Sequence, residues 1–129
     1  MKIHVSDAVA FLYFLLNKLP RRADEVFRQA ENGEANIYLP TIVAAELYYL
    51  FERKGWSKYW TKLKNAMSSV ATFRCYPFNE QVLDLFRHTK AREIHDKIIV
   101  STTKVVKANA LITKDEALKK LEEVNTIWL

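Results

Sequence analysis

Segments that read as strands and segments that read as helices take turns along this chain, and that alternation narrows the fold more than any other feature. Lys2 to Val5 reads as a strand leading at Asp7 into a helix to about Asn17, and Pro20 opens a second helix ending near Asn32 and Gly33. Asn36 to Leu39 is the next short strand. Pro40 and Thr41 then start a helix through Tyr49, closed near Lys54 and Gly55. Further helices are expected around Ser57 to Ser68 and Glu80 to Lys90, with a strand over Val70 to Cys75. Ile94, Ile98, Val105 and Val106 fall at helical spacing within Arg92 to Lys107. Ala110 to Thr113 reads as a strand, Asp115 to Glu123 as a helix and Thr126 to Leu129 as a last strand. Strands joined by helices run parallel, so the alternation predicts an α/β fold built on a parallel sheet.

A chain of 129 residues fits one domain, 1–129, and 50% hydrophobic residues supply a real core. No repeat and no Pro/Gly/Ser linker divides it. The apolar run from Ala8 to Leu16 follows Asp7 directly, lacks a small-residue cleavage site and is far too short to span a bilayer, so it reads as a buried helix and no membrane association is expected. Because that helix is apolar on nearly every side, part of its surface is a candidate contact with a second copy or another protein. The single cysteine, Cys75, has no internal partner for a disulfide and no zinc-ligand spacing around it, which favours a reducing, cytoplasmic setting.

Four carboxylates sit where acids seldom do. Asp7, Glu46, Asp96 and Asp115 lie inside or directly after strongly apolar runs: KIHVSDAVAFLYFLL, TIVAAELYYLF, EIHDKIIV and ALITKDEAL. An ionised carboxylate withdrawn from water costs on the order of several kcal/mol unless it is paired, hydrogen-bonded or bound to a cation. Asp7 and Asp115 each follow a strand and begin a helix, and ligands of open parallel sheets collect at those strand ends. Glu46 shares one helix side with Ile42, Val43, Tyr49 and Leu50, so it projects from a largely apolar face. Asp96 falls in the first turn of its helix, where the macrodipole favours an anion. Taken singly, Asp7 and Asp115 are also good helix caps, and Glu46 could pair with Arg53. A shared divalent cation is the one cause that accounts for all four. Mg²⁺ or Mn²⁺ suits them, since both take hard oxygen ligands, and one or two such ions would polarise a scissile phosphate and lower the pKa of an attacking water.

In order and spacing these segments resemble the PIN domain, specifically the small VapC-like ribonuclease toxins. The likeness runs nearly end to end, through Val5 to Leu16, LPTIVAAELYYLFER and HDKIIVSTTKVVKANALITKDEAL. It implies a three-layer α/β/α fold with a short, mainly parallel central sheet. It also implies Asp7, Glu46, Asp96 and Asp115 as metal-binding acids with the Thr113 hydroxyl beside them, endonucleolytic cleavage of RNA, a homodimer, and an antitoxin partner. Two departures stand out. The family commonly places Thr or Ser after its first acid, whereas Ala8 and Val9 follow Asp7, and Lys97 replaces the small residue usual after the third acid. These substitutions support an alternative in which the chain is a weak or inactive PIN-like module that binds RNA or protein.

Other classes fit less well. A haloacid-dehalogenase-like phosphatase needs an acid where Val9 stands, and a ribonuclease H-like nuclease begins with hairpins rather than a helix after its first strand. From Arg53 to Asn79 six basic residues (Arg53, Lys54, Lys58, Lys62, Lys64 and Arg74) occur without an acid, interleaved with Trp56, Tyr59 and Trp60. That stretch is a candidate RNA surface, or else an amphipathic helix with buried aromatics and solvated lysines. A net charge of +5 favours an anionic partner. His4, His88 and His95 form no ligand spacing.

Overall fold

The computed structural model describes residues 1–129. Five strands form one sheet: β1 (Lys2–Ser6), β2 (Ala35–Pro40), β3 (Phe73–Tyr76), β4 (Ala110–Ile112) and β5 (Thr126–Ile127). Every pairing is parallel and the order is β3-β2-β1-β4-β5. Each strand return is therefore a crossover, made by α1 (Ala8–Leu15) and α2 (Arg21–Glu31), then α3 (Thr41–Lys54) and α4 (Ser57–Ser69). The short α5 (Glu80–Asp84), a 3₁₀ turn (Leu85–His88) and α6 (Ile94–Val105) lead from β3 to β4, and α7 (Glu116–Leu121) leads to β5.

Both faces of the sheet are covered, as is usual for an all-parallel sheet, and its central strands β1, β2 and β4 are largely buried. His4, Ile37, Phe73 and Ala110 are register partners and share one face. On that face Phe73 meets Phe11, Phe14 and Phe27, an aromatic knot that joins α1, α2 and β3. Val5, Tyr38 and Leu111 share the opposite face, against which α6 packs. The layers are thus helix, sheet, helix, as the resemblance implies; the sheet is parallel, as the alternation predicts, and wholly rather than mainly so.

The element ends differ from the sequence reading where tertiary contacts take the backbone donors. The helix expected over Glu80 to Lys90 gives way after Asp84 to the 3₁₀ turn and does not continue past His88, where the Lys90 amide donates to Glu123 Oε2 (2.8 Å) and the Ala91 amide to Thr89 Oγ1 (3.2 Å). The helix expected to reach Asn17 ends at Leu15, with Asn17 in the left-handed region at φ 58°. At the end of α3 the same conformation falls to Gly55, at φ 69°. No helix is long and apolar enough to cross a membrane.

Candidate active site

The strand order reverses between β1 and β4, and the crevice beyond the carboxyl ends of those two strands is where open α/β sheets bind their ligands. Asp7 leaves β1 at that point. It caps α1, with Oδ1 accepting the Ala10 amide at 2.9 Å, and its other oxygen accepts a hydrogen bond from the Thr113 hydroxyl at the end of β4. The Asp115 amide in turn donates to Thr113 Oγ1 at 3.0 Å, so a hydroxyl bridges the two strand ends and holds the Asp7 carboxylate in place. Asp115 caps α7, with Oδ1 accepting the amides of Ala117 (2.8 Å) and Leu118 (3.2 Å). Each of these acids is a helix cap and a cleft residue at once.

Two helices bring the other acids to the same crevice. α3 carries Glu46, whose Oε1 is buried with no hydrogen-bond partner, and no ion pair joins it to Arg53, which lies over the Tyr49 ring instead. α6 carries Asp96 in its first turn, where the Asp96 amide donates to Glu93 Oε2 at 3.1 Å. Glu93 Oε1 lies 2.6 Å from His95 Nδ1. One cleft of about 190 Å³ is lined by Asp7, Glu46, Glu93, His95, Asp96 and Asp115. Ala8 and Val9 lie at its rim, so the first turn of α1 offers the cleft no hydroxyl; Lys97 points elsewhere and does not line it.

Crowded acids in a half-dry cleft resist ionisation. Burial pushes the Asp7 carboxyl above the usual carboxylate range; the Thr113 and Ala10 hydrogen bonds oppose the rise, and the Asp115 and Asp96 charges add to it. Burial likewise raises Glu46, against a lowering influence of His95, with Glu93, Asp7 and Asp96 pushing further upward. Asp96 is raised by burial, then by Asp115 and Glu93. No three acid, histidine or cysteine groups close on one point in a ready-made ligand cage. The donor set is nonetheless hard oxygen throughout, mutually repelling, and includes an orphaned buried carboxylate oxygen. Those properties fit an ion such as Mg²⁺, which keeps several waters and binds through one or two carboxylates together with substrate phosphates.

The structure therefore brings all four sequence-derived acids into one cleft and adds two residues that the sequence did not single out. Glu93 is a poor cap by residue preference, so its place three positions before Asp96 carried little signal beyond the spacing itself. Of the basic stretch from Arg53 to Asn79 no cation lines the cleft, and only Arg53 comes near the acids, in the adjoining groove that Glu46 and His95 also line. Lys62 donates to the Leu15 carbonyl at 2.6 Å, Lys58 lies over Tyr59 and Lys64 over Trp60, and Trp56, Tyr59 and Trp60 pack half-buried against the core. That is the amphipathic reading of the stretch.

Fold and site together define a doubly wound parallel α/β domain with a carboxylate cleft at its topological switch point. The model of the PIN domain matches residues 5–124, and the chain belongs to that family. VapBC2 from Rickettsia felis, solved bound to a DNA fragment from its promoter, is similar in fold, with a TM-score of 0.77 at 18% identity over 98% of this chain and 99% of that one. FitAcB from Neisseria gonorrhoeae gives a TM-score of 0.68 at 20% identity, covering 96% of both chains. The PIN domain endonuclease Utp24 gives 0.56 at 20% identity, over 92% of this chain and 75% of that one. No curated protein sequence matches the chain.

Proposed function

We propose that this PIN domain is an Mg²⁺- or Mn²⁺-dependent endoribonuclease and the toxin of a toxin–antitoxin pair. The observation that carries the reading is the convergence of Asp7, Glu46, Asp96 and Asp115, from four separate segments, on one cleft at the switch point. PIN domains are a nuclease family, and the structural neighbours named above include toxin–antitoxin complexes. Asp7 and Asp96 would hold the ion, with Glu46 and Asp115 orienting the attacking water or holding a second ion. When bound, the cation would neutralise charge on the scissile phosphate and its leaving oxygen. Thr113 and the Ala10 amide keep the Asp7 carboxylate aimed into the cleft. Val9, Leu12, Ile42 and Leu50 line an apolar groove of about 550 Å³ that adjoins the acids between α1 and α3, and it supports a protein partner, the antitoxin or the second subunit of a homodimer.

Purified protein is expected to cleave RNA with Mg²⁺ or Mn²⁺ and to stop on addition of EDTA. Cleavage that persists in EDTA would sink the metal-dependent mechanism. A small upstream gene encoding a DNA-binding protein that co-purifies with the chain and silences it is the expected mark of the antitoxin. The second reading, a weak or inactive RNA- or protein-binding module, is favoured by the apolar rim that Ala8 and Val9 give the cleft. It predicts RNA binding without metal-dependent turnover.

A further inference from the structure

A second cleft, of about 160 Å³, opens on the other side of Asp115 and adjoins the acid cleft, Asp115 lining both. Arg22 from the start of α2, Lys114 from the β4–α7 loop and Lys119 from α7 line it, with Trp128 just beyond β5. None of these cations is spent in an ion pair; the ion pairs of the molecule are Arg21–Glu25, Arg28–Asp24, His95–Glu93 and Lys104–Glu123. Lys114 rests on an aromatic instead, with Nζ 3.1 Å from the Tyr13 hydroxyl and 5.1 Å from the centre of its ring. Tyr13 in turn packs against Trp128, ring centres 5.5 Å apart. Of the two acids lining the cleft, Asp115 is tied to the α7 amides through Oδ1, and Glu116 is exposed. An elongated polyanion reaching the carboxylates from this side would therefore meet unpaired positive charge and an aromatic surface before it met the repelling acids.

We propose that this cleft is a single-stranded RNA subsite: Arg22, Lys114 and Lys119 hold phosphates flanking the scissile one, and Trp128 carries a base. The proposal rests on the nuclease reading of the adjoining acids and places RNA recognition at the β5 edge of the sheet, where the cations adjoin the acids at Asp115, rather than at α4, none of whose lysines lines either cleft. Cations that release counterions from the strand supply affinity and salt dependence, while stacking is indifferent to salt. The two contributions are separable.

The test is the affinity of a short fluorescent single-stranded RNA, measured in EDTA across a range of salt, for the wild type and four variants. The combined Arg22→Ala, Lys114→Gln, Lys119→Ala variant is expected to bind at least about ten-fold more weakly and to lose roughly 2 from the salt slope, at about 0.7 per phosphate contact. Trp128→Ala is expected to weaken binding roughly ten-fold at unchanged slope, and Trp128→Phe to recover most of it. Lys58→Ala with Lys64→Ala should change neither. Hydrolysis of bis(p-nitrophenyl) phosphate, too small to span the subsite, reads the acids separately. A wild type that binds no RNA, or a salt slope that falls with the Lys58 and Lys64 pair and not with the Arg22 set, overturns the subsite. Absent ester hydrolysis with the expected slopes overturns the nuclease reading and leaves the subsite standing.

Discussion

At the scale of single residues, the site turns on a hydroxyl. Thr113 accepts from the Asp115 amide and donates to Asp7, so Thr113→Val leaves an amide and a carboxylate oxygen unpartnered at almost constant shape. Losing such a supporting group typically costs roughly ten- to a hundred-fold in metal affinity or activity, and steady-state cleavage by the variant over a Mn²⁺ titration checks it. The acids themselves make an opposite prediction for stability. Asp7, Glu46 and Asp96 have folded-state pKa values above the ordinary carboxylate range, so their contribution is fully present below about pH 4 and is lost as the pH climbs through the raised values. In EDTA these three acids should therefore pull the melting temperature down as the pH rises toward neutrality, against the opposite contribution of Glu93 and Glu123, whose carboxyls, against burial, are held below the ordinary range by hydrogen bonds. Asp96→Asn should flatten that fall and melt at or above the wild type. Millimolar Mn²⁺ should then raise the wild-type midpoint and move the variant much less, since ion binding stabilises the native state by RT ln(1 + [L]/Kd). Equal metal responses in paired thermal melts would remove Asp96 from the site. These four acids were legible because apolar neighbours made them conspicuous, whereas Glu93, between Arg92 and Ile94 on an exposed loop, looked like any surface charge.

At the scale of elements, position in the cleft is bought by caps. Glu93 fastens the first turn of α6 and so fixes where Asp96 points. Glu93→Ala should destabilise by about 1 kcal/mol and lower activity, while Glu93→Gln, which retains an acceptor for the Asp96 amide, should keep most of both; urea melts and cleavage rates on the two variants separate capping from charge. Lys62 is a second case. Its ammonium closes the carbonyl end of α1 at Leu15, so Lys62→Ala is expected to cost about 1 kcal/mol in the same melts and to leave the salt dependence of RNA binding where it was. The sequence showed a helix over residues 57–68 and its lysines; it did not show that one lysine reaches a helix forty-odd positions earlier. Likewise the end of the helical stretch after His88 involves Glu123, a residue distant in sequence that takes the Lys90 amide. Local periodicity holds no record of such partners.

At the scale of the whole molecule, alternation made the parallel sheet legible, and the acid spacing made the cleft legible, but strand order was not written locally. Only the order β3-β2-β1-β4-β5 shows that β1 and β4 are neighbours, that the basic α4 lies toward one edge of the sheet and that Arg22, Lys114, Lys119 and Trp128 gather toward the other. The bond between Thr113 and Asp7 spans 106 positions of chain, across that central seam. A ribosome delivers β1, α1, β2 and α3 long before β4, and a domain folds as a unit once its later segments are present. Asp7 and Glu46 thus wait, exposed and unsupported, until the segment bearing Asp96, Thr113 and Asp115 has cleared the exit tunnel. The carboxylate cleft is consequently the last part of the fold to be completed, since its supporting bond from Thr113 and two of its four acids arrive with the final third of the chain.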